Sequence, residues 1–159
     1  MDWTAVDNEA CAVTRAMDVL GDRWSVLVLR EIFNGVRRFD DIQGHIGVSR
    51  SVLALRLKDL VDVGVLHKRE YRPDTGRVRH EYRLTEMGRS LQPVMQSLME
   101  FGDTWLTAHD EPTMVVRHRG CDAQVHVRSV CDHGHVVEEP RDLYGEIGGA
   151  PLRAEKATA

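Results

Sequence analysis

Apolar residues first recur three and four positions apart, then alternate with polar ones, then return to a helical rhythm. Val13, Met17 and Leu20 predict a short helix from Ala10 to Leu20, with Cys11 early in it, and Gly21 interrupts it. In "DRWSVLVLREIFNG", Asp22 suits an N-cap, Trp24, Leu27, Val28 and Ile32 share a face, and Gly35 marks the stop. A helix apolar over so much of its circumference belongs at the centre of the fold. "RRFDDIQGHI" predicts a third helix turning Phe39, Ile42 and Ile46 inward. After a tight turn at Gly47 and Val48, Ser49 caps a fourth helix that runs to about Val63. Leu53, Leu57 and Leu60 lie on one side of it, and Gly64 follows its end. "VLHKREY" and "RVRHEYRL" carry β-forming residues in partial alternation, and "RPDTGR" between them has the chemistry of a hairpin turn. Thr85 caps a long helix, "EMGRSLQPVMQSLMEFGDTWLTAH", in which Pro93 either kinks the interior or marks a later start. Past Pro112 the chain alternates like short strands, and residues 151–159 form a frayed tail.

Helix, tight turn, helix, basic hairpin is the order of a winged helix-turn-helix. The fold class expected is therefore α+β, mainly α, with a small β-rich appendage over residues 112–150. In the fourth helix the leucines face inward, so Arg50, Ala54 and Lys58, spaced by four, point outward. Ser49, Arg50 and Ser51 crowd its N-terminus, where free N–H groups and the helix dipole attract phosphate. A helix of this width fits the major groove of duplex DNA. The hairpin carries Arg72, Arg77 and Arg79, together with Lys68, Arg69 and His80, for phosphate or minor-groove contacts, and Arg38 joins the candidate DNA-binding set. Arg56 can equally pair with Asp59 or Asp62, and Arg69 and Arg83 with carboxylates of the hairpin.

The charge refines this picture. The 159-residue chain has a net charge of −4, which at first argues against an acidic partner. Between Asp22 and Arg89 there are 14 Lys/Arg against 10 Asp/Glu, net +4, and elsewhere 7 against 15, net −8. The arginines thus gather at the start of the fourth helix and in the hairpin, within an acidic chain. The length suits one domain with an appendage, and the composition is that of an ordinary globular protein. Without a long apolar run or an apolar N-terminal leader, and with only three cysteines, the expectation is a cytoplasmic protein without disulfides.

"CAVTRAMDVLGDRWSVLVLREIFNGVRRFDDIQGHIGVSRSVLALRLKDLVDVGVLHKREY" followed by "RHEYRLTEMGRSL" resembles the HxlR-type bacterial transcriptional regulators over about residues 8 to 108. Several separated motifs agree in order: Cys11, "GDRW", "RRFDDI", "VSRSVLALRLKDL", "GVL" and "YRLTEMG". The resemblance implies a homodimeric repressor or activator that binds a pseudo-palindromic operator in double-stranded DNA. It implies a DNA-binding and dimerisation domain over residues 8–109, with N- and C-terminal dimerisation helices at roughly Asn8 to Leu20 and Leu91 to His109. The second of these has more apolar surface than one short domain covers, through Leu98, Phe101 and Trp105 among others. Cys11 corresponds to a position that in some relatives senses oxidants or electrophiles. Two readings of it stay open: a redox sensor answering to an oxidant or small-molecule effector, or a small apolar residue.

The tail holds His118, Cys121, Cys131 and His133 or His135, the ligand types and spacings of a small zinc ribbon, although Gly134 stands where some relatives carry a cysteine. Structural zinc and a metal-free β-appendage both remain open, and no cofactor is required for the regulator itself. No nucleophile–base–orienter pattern or metalloprotease helix supports an enzyme. The remaining alternative is a winged-helix module that binds a protein or small ligand and not DNA.

Overall fold

The computed structural model describes residues 2–72, 76, 78–108 and 111–149. The expected hairpin-turn residues Pro73, Asp74, Thr75 and Arg77, and also His109 and the tail from Ala150 onward, lie outside the described residues. Two compact units result: one comprises residues up to Arg89 with the chain from Gly145, and the other runs from Ser90 to Tyr144.

In the first unit, a 3-10 turn at Asn8–Ala10 leads into α1 (Ala12–Leu20), followed by α2 (Arg23–Phe33), α3 (Phe39–Ile46) and α4 (Arg50–Asp62). The hairpin strands β1 (Leu66–Tyr71) and β2 (Arg79–Leu84) and the short helix α5 (Glu86–Arg89) complete it. Local chemistry sets the boundaries. Asp22 caps α2 by accepting from the Trp24 and Ser25 N–H groups at 2.9 and 3.3 Å. Gly47 ends α3 at φ +68°, a left-handed conformation that costs glycine little, and this lets α4 start three residues later. Ser49 Oγ then accepts from Val52 N–H at 3.4 Å.

The core is made by Val28, Leu29 and Ile32 of α2, Ile42 of α3, Leu53, Leu57 and Leu60 of α4, and Val65 and Leu66 at the root of the hairpin, all buried. The α2 helix packs on α1, α3, α4 and β2, the central place its apolar circumference predicts. Its buried face differs in detail from the expected one: Ser25, Val28, Leu29, Glu31 and Ile32 are inside, while Trp24 and Leu27 are only half-buried. Phe39 and Ile46 are half-buried as well, leaving Ile42 as the inward anchor of α3.

The strands pair antiparallel from Leu66↔Leu84 to Tyr71↔Arg79. The segment before α3 adds to them, because Tyr82 N–H donates to the Arg37 carbonyl at 2.8 Å and Arg38 bridges Glu81 antiparallel. Thr85 closes the hairpin's base: its hydroxyl donates to the Gly64 carbonyl at 2.6 Å and accepts from Gly88 N–H at 3.1 Å. Gly88 presses on the Val65 carbonyl so closely that a Cβ would collide with it.

In the second unit, α6 (Gln92–Trp105) begins with Pro93 in its first turn, so the sequence past Thr85 forms two helices and Pro93 marks the later start. Gln96 Nε2 donates to the Val125 carbonyl at 2.6 Å, and Glu100 accepts from Val127 N–H at 3.2 Å, so the extended tail is bound to this helix. Among the described residues, the tail's paired strands are the two-residue β3 (Ser129–Val130) and β4 (Val136–Val137). The fold is thus mainly helical, a winged helix with a β-hairpin wing and a small C-terminal β pair. No helix among the described residues is long and apolar enough to cross a membrane.

Because Leu57 is fully buried and Leu55 is half in solvent, Leu57→Ala is expected to lower unfolding free energy by about 2–5 kcal/mol and Leu55→Ala by well under about 1 kcal/mol. Urea unfolding of both variants measures this.

Candidate nucleic-acid interface

With Leu53, Leu57 and Leu60 buried, α4 turns Arg50, Ser51, Ala54 and Lys58 to solvent. Ser49 and Ser51 Oγ atoms lie 3.2 Å apart at the helix start. Arg50 is mostly exposed but oriented: Nη1 donates to Asp40 Oδ1 at 2.8 Å, and the guanidinium lies 4.8 Å from the Phe39 ring centroid. Asp40 also approaches the wing, with Oδ2 3.8 Å from Arg79 Nη1. Arg38 stands over the Tyr71 ring at 4.7 Å. Thus Arg38, Arg50 and Arg79, expected as DNA contacts from three separate stretches, line one open pocket of about 250 Å³ with Asp40 and three aromatic rings. One of these rings is Tyr82, whose phenol burial pushes up in pKa.

The other expected residues stand apart from that pocket. Lys58 pairs with Asp62 one turn on, which holds its ammonium above the ordinary lysine range. Arg72 is exposed at the end of β1, and Arg77 lies outside the described residues. Arg56 bonds Asp59 at 3.1 Å and lies 3.5 Å from Asp22, so it ties α4 to the start of α2. Arg83 pairs with Glu81 at 2.6 Å inside the wing.

Glu31 gave no sign in the sequence. Its side chain is 2% exposed, with Oε2 2.6 Å from His45 Nδ1 and Oε1 2.6 Å from Arg30 Nη2. Burial alone would raise its pKa. The hydrogen bonds from His45 and Arg30 outweigh that and hold the carboxyl below the ordinary glutamate range. This contact fastens the last turn of α3 to α2, and so sets where α4 emerges.

Cys11 is the N-cap residue of α1 and not a residue of its interior, which corrects its expected place in the helix. The sulfur makes no formal capping bond, yet the Thr14 and Val13 backbone N–H groups pull the thiol below its ordinary pKa. Flanking Lys or His residues are absent from the sequence there, and the signal that mattered was the helix start. In the tail, His118 Nδ1 lies 3.3 Å from Cys121 Sγ, and Cys131 N–H donates to the His135 carbonyl at 3.1 Å. The rings of His133 and His135 stand 6.3 Å apart. Among the described residues, no group of three or more His, Cys, Asp and Glu side chains is arranged to hold a metal ion.

An exposed helix N-terminus after a left-handed turn, with a basic wing beside it, defines a winged helix-turn-helix regulator. Residues 19–110 match the HxlR-like helix-turn-helix family, and the chain belongs to that family. It is 41% identical over 125 residues to the HTH-type transcriptional regulator Rv3095 of Mycobacterium tuberculosis, across 79% of this chain and 78% of that protein. Among solved structures it is similar to the transcription factor candidate PA1607, with a TM-score of 0.72 and 31% identity over 86% of this chain and 94% of that one. The reduced form of the Bacillus subtilis transcriptional regulator YodB aligns with a TM-score of 0.51 and 32% identity, over 63% of this chain and 98% of that one. The redox regulator HypR in its reduced form gives 0.53 and 26%, over 59% and 92%. The chain is therefore an HTH-type transcriptional regulator and not an enzyme.

The depressed folded pKa of Glu31 has a definite sign. Its ionised form contributes stability that is complete above the unfolded carboxyl pKa and is lost as pH falls through the lower folded value. Urea midpoints measured from about pH 6 down to pH 3 should therefore fall steeply for the wild type. Glu31→Gln should be less stable at pH 6 and lose less on acidification.

Proposed function

We propose that this regulator binds a pseudo-palindromic operator in duplex DNA as a homodimer, with α4 entering the major groove and the wing lying along the adjacent backbone. The observation that carries this reading is the convergence of Arg50 from α4, Arg79 from the wing and Arg38 from the start of α3 on one exposed pocket. Ser49, Arg50, Ser51 and Ala54 are the residues nearest the groove floor, while Arg38, Arg72, Arg77 and Arg79 serve phosphates. Lys58 joins them by exchanging Asp62 for a phosphate. The chain's acidic remainder keeps sequence-independent affinity low.

Dimerisation is supported by apolar side chains left in solvent on two helices. Val13 and Met17 are exposed on α1, and Leu98, Phe101 and Trp105 on α6, with Trp105 at 74% exposure. A second copy covering these residues removes them from water. It also presents two α4 helices to successive half-sites.

The same reading gives Cys11 a sensing role. The start of α1, a helix that carries exposed apolar residues, lowers the Cys11 thiol pKa, and both HypR and YodB are similar structures whose reduced forms are described. Oxidation there would alter the α1 contacts and with them the half-site spacing.

Two outcomes test this reading. Arg50→Ala is expected to cost about 1–3 kcal/mol on the preferred duplex and relax its sequence preference. Arg79→Ala should weaken all duplexes and reduce the salt slope by about 1. Full affinity in the double variant, read by fluorescence anisotropy, would remove these residues from the interface. Diamide should release wild-type protein from DNA and leave Cys11→Ser bound, and equal release from both would end the sensor role.

A further inference from the structure

The geometry points to Asp40 as a specificity-determining residue: an internal anion that occupies the phosphate position between Arg50 of α4 and Arg79 of the wing, and so suppresses binding to DNA that offers phosphates alone. This rests on the DNA-binding reading above and goes beyond it, because it assigns a function to a carboxylate that touches two expected DNA contacts. Asp40 lies in the first turn of α3, and its two oxygens face different elements. Oδ1 accepts from Arg50 at 2.8 Å, and Oδ2 lies 3.8 Å from Arg79. A backbone phosphate at this place would present two anionic oxygens to the same two guanidiniums.

The pairing is built to exchange. Side-chain exposure is 60% for Asp40, 67% for Arg50 and 53% for Arg79, so solvent screens both ion pairs and neither is strong. Phe39 under Arg50 keeps that guanidinium in place when its carboxylate partner is displaced. Any DNA must compete with Asp40 for the two arginines. On unrelated DNA both arginines turn to a phosphate that must take the place of Asp40 against its charge, whereas on the operator Arg50 turns to base edges and no phosphate needs that place. The carboxylate therefore subtracts most from the sequence-independent part of binding, and discrimination increases.

Asp41 provides the internal control. It is the next residue in the same helical turn, it is exposed, and it has no ion pair among the described residues. Removing its charge changes the net charge equally without freeing Arg50 or Arg79.

The test uses the full chain, a duplex that the wild type enriches from a randomised pool, and an unrelated duplex of equal length, titrated between about 50 and 200 mM KCl. Asp40→Asn is expected to bind the unrelated duplex about five- to ten-fold more tightly at about 0.1 M salt, with a salt slope steeper by about 1, as one further phosphate contact requires. The enriched duplex should gain less, so the ratio of the two affinities falls. Asp41→Asn should keep the wild-type ratio. An unchanged ratio in Asp40→Asn, or the same fall in Asp41→Asn, overturns the assignment while leaving DNA binding intact. If the wild type enriches no duplex at all, the DNA-binding reading itself fails, and the role of Asp40 with it.

Discussion

The burial of one leucine face of α4 is the constraint on which the remainder depends. Leu53, Leu57 and Leu60 are at most 1% exposed, and they lock the rotation of α4 about its own axis against α2, α3 and β1. Turning the helix by one residue would bring Arg50 or Ala54 inward and expose a leucine, at a cost of about 1.5–3 kcal/mol for each buried side chain brought out. The polar edge that meets solvent is therefore decided by apolar packing on the opposite side. The serines and arginine at the helix start owe their position to residues they never touch.

Three polar contacts then fix the neighbours. Glu31 holds the end of α3 through His45 while Arg30 binds its other oxygen, so losing either partner would leave a buried carboxylate oxygen unsatisfied. Arg37 and Arg38 pair with β2 and make the entry to α3 continuous with the wing. Thr85 clamps the wing's base at Gly64 and Val65. As a result Arg38, Asp40, Arg50 and Arg79, from three stretches of chain, share one surface without a buried network of their own. The site is exposed and weakly paired on a firmly packed support, which suits reversible exchange with a polyanion.

What could be read from the sequence was local or periodic. The caps at Asp22 and Ser49, the stops at Gly35, Gly47 and Gly64, the leucine stripe and the antiparallel hairpin all rest on residues within one or two turns of each other. The misses rest on long-range pairing or on context. Glu31 looks like an ordinary surface glutamate until His45, fourteen residues later, comes beside it. Asp40 meets Arg50 ten residues on and Arg79 much further along the chain, with no periodic trace. Cys11 has no flanking Lys or His, and its place at a helix start is what lowers the thiol pKa. Pro93 left two readings open, and the one in which it begins a new helix holds because its missing N–H costs nothing in the first turn.

The central claim is that the outward face of α4 lies against base edges. A photo-crosslinking amino acid placed at Ala54, which is exposed on that face, tests it most directly. The account predicts crosslinks to bases at equivalent positions in the two half-sites of the bound duplex. A duplex that is still shifted by the protein but receives no crosslink from position 54 would contradict it.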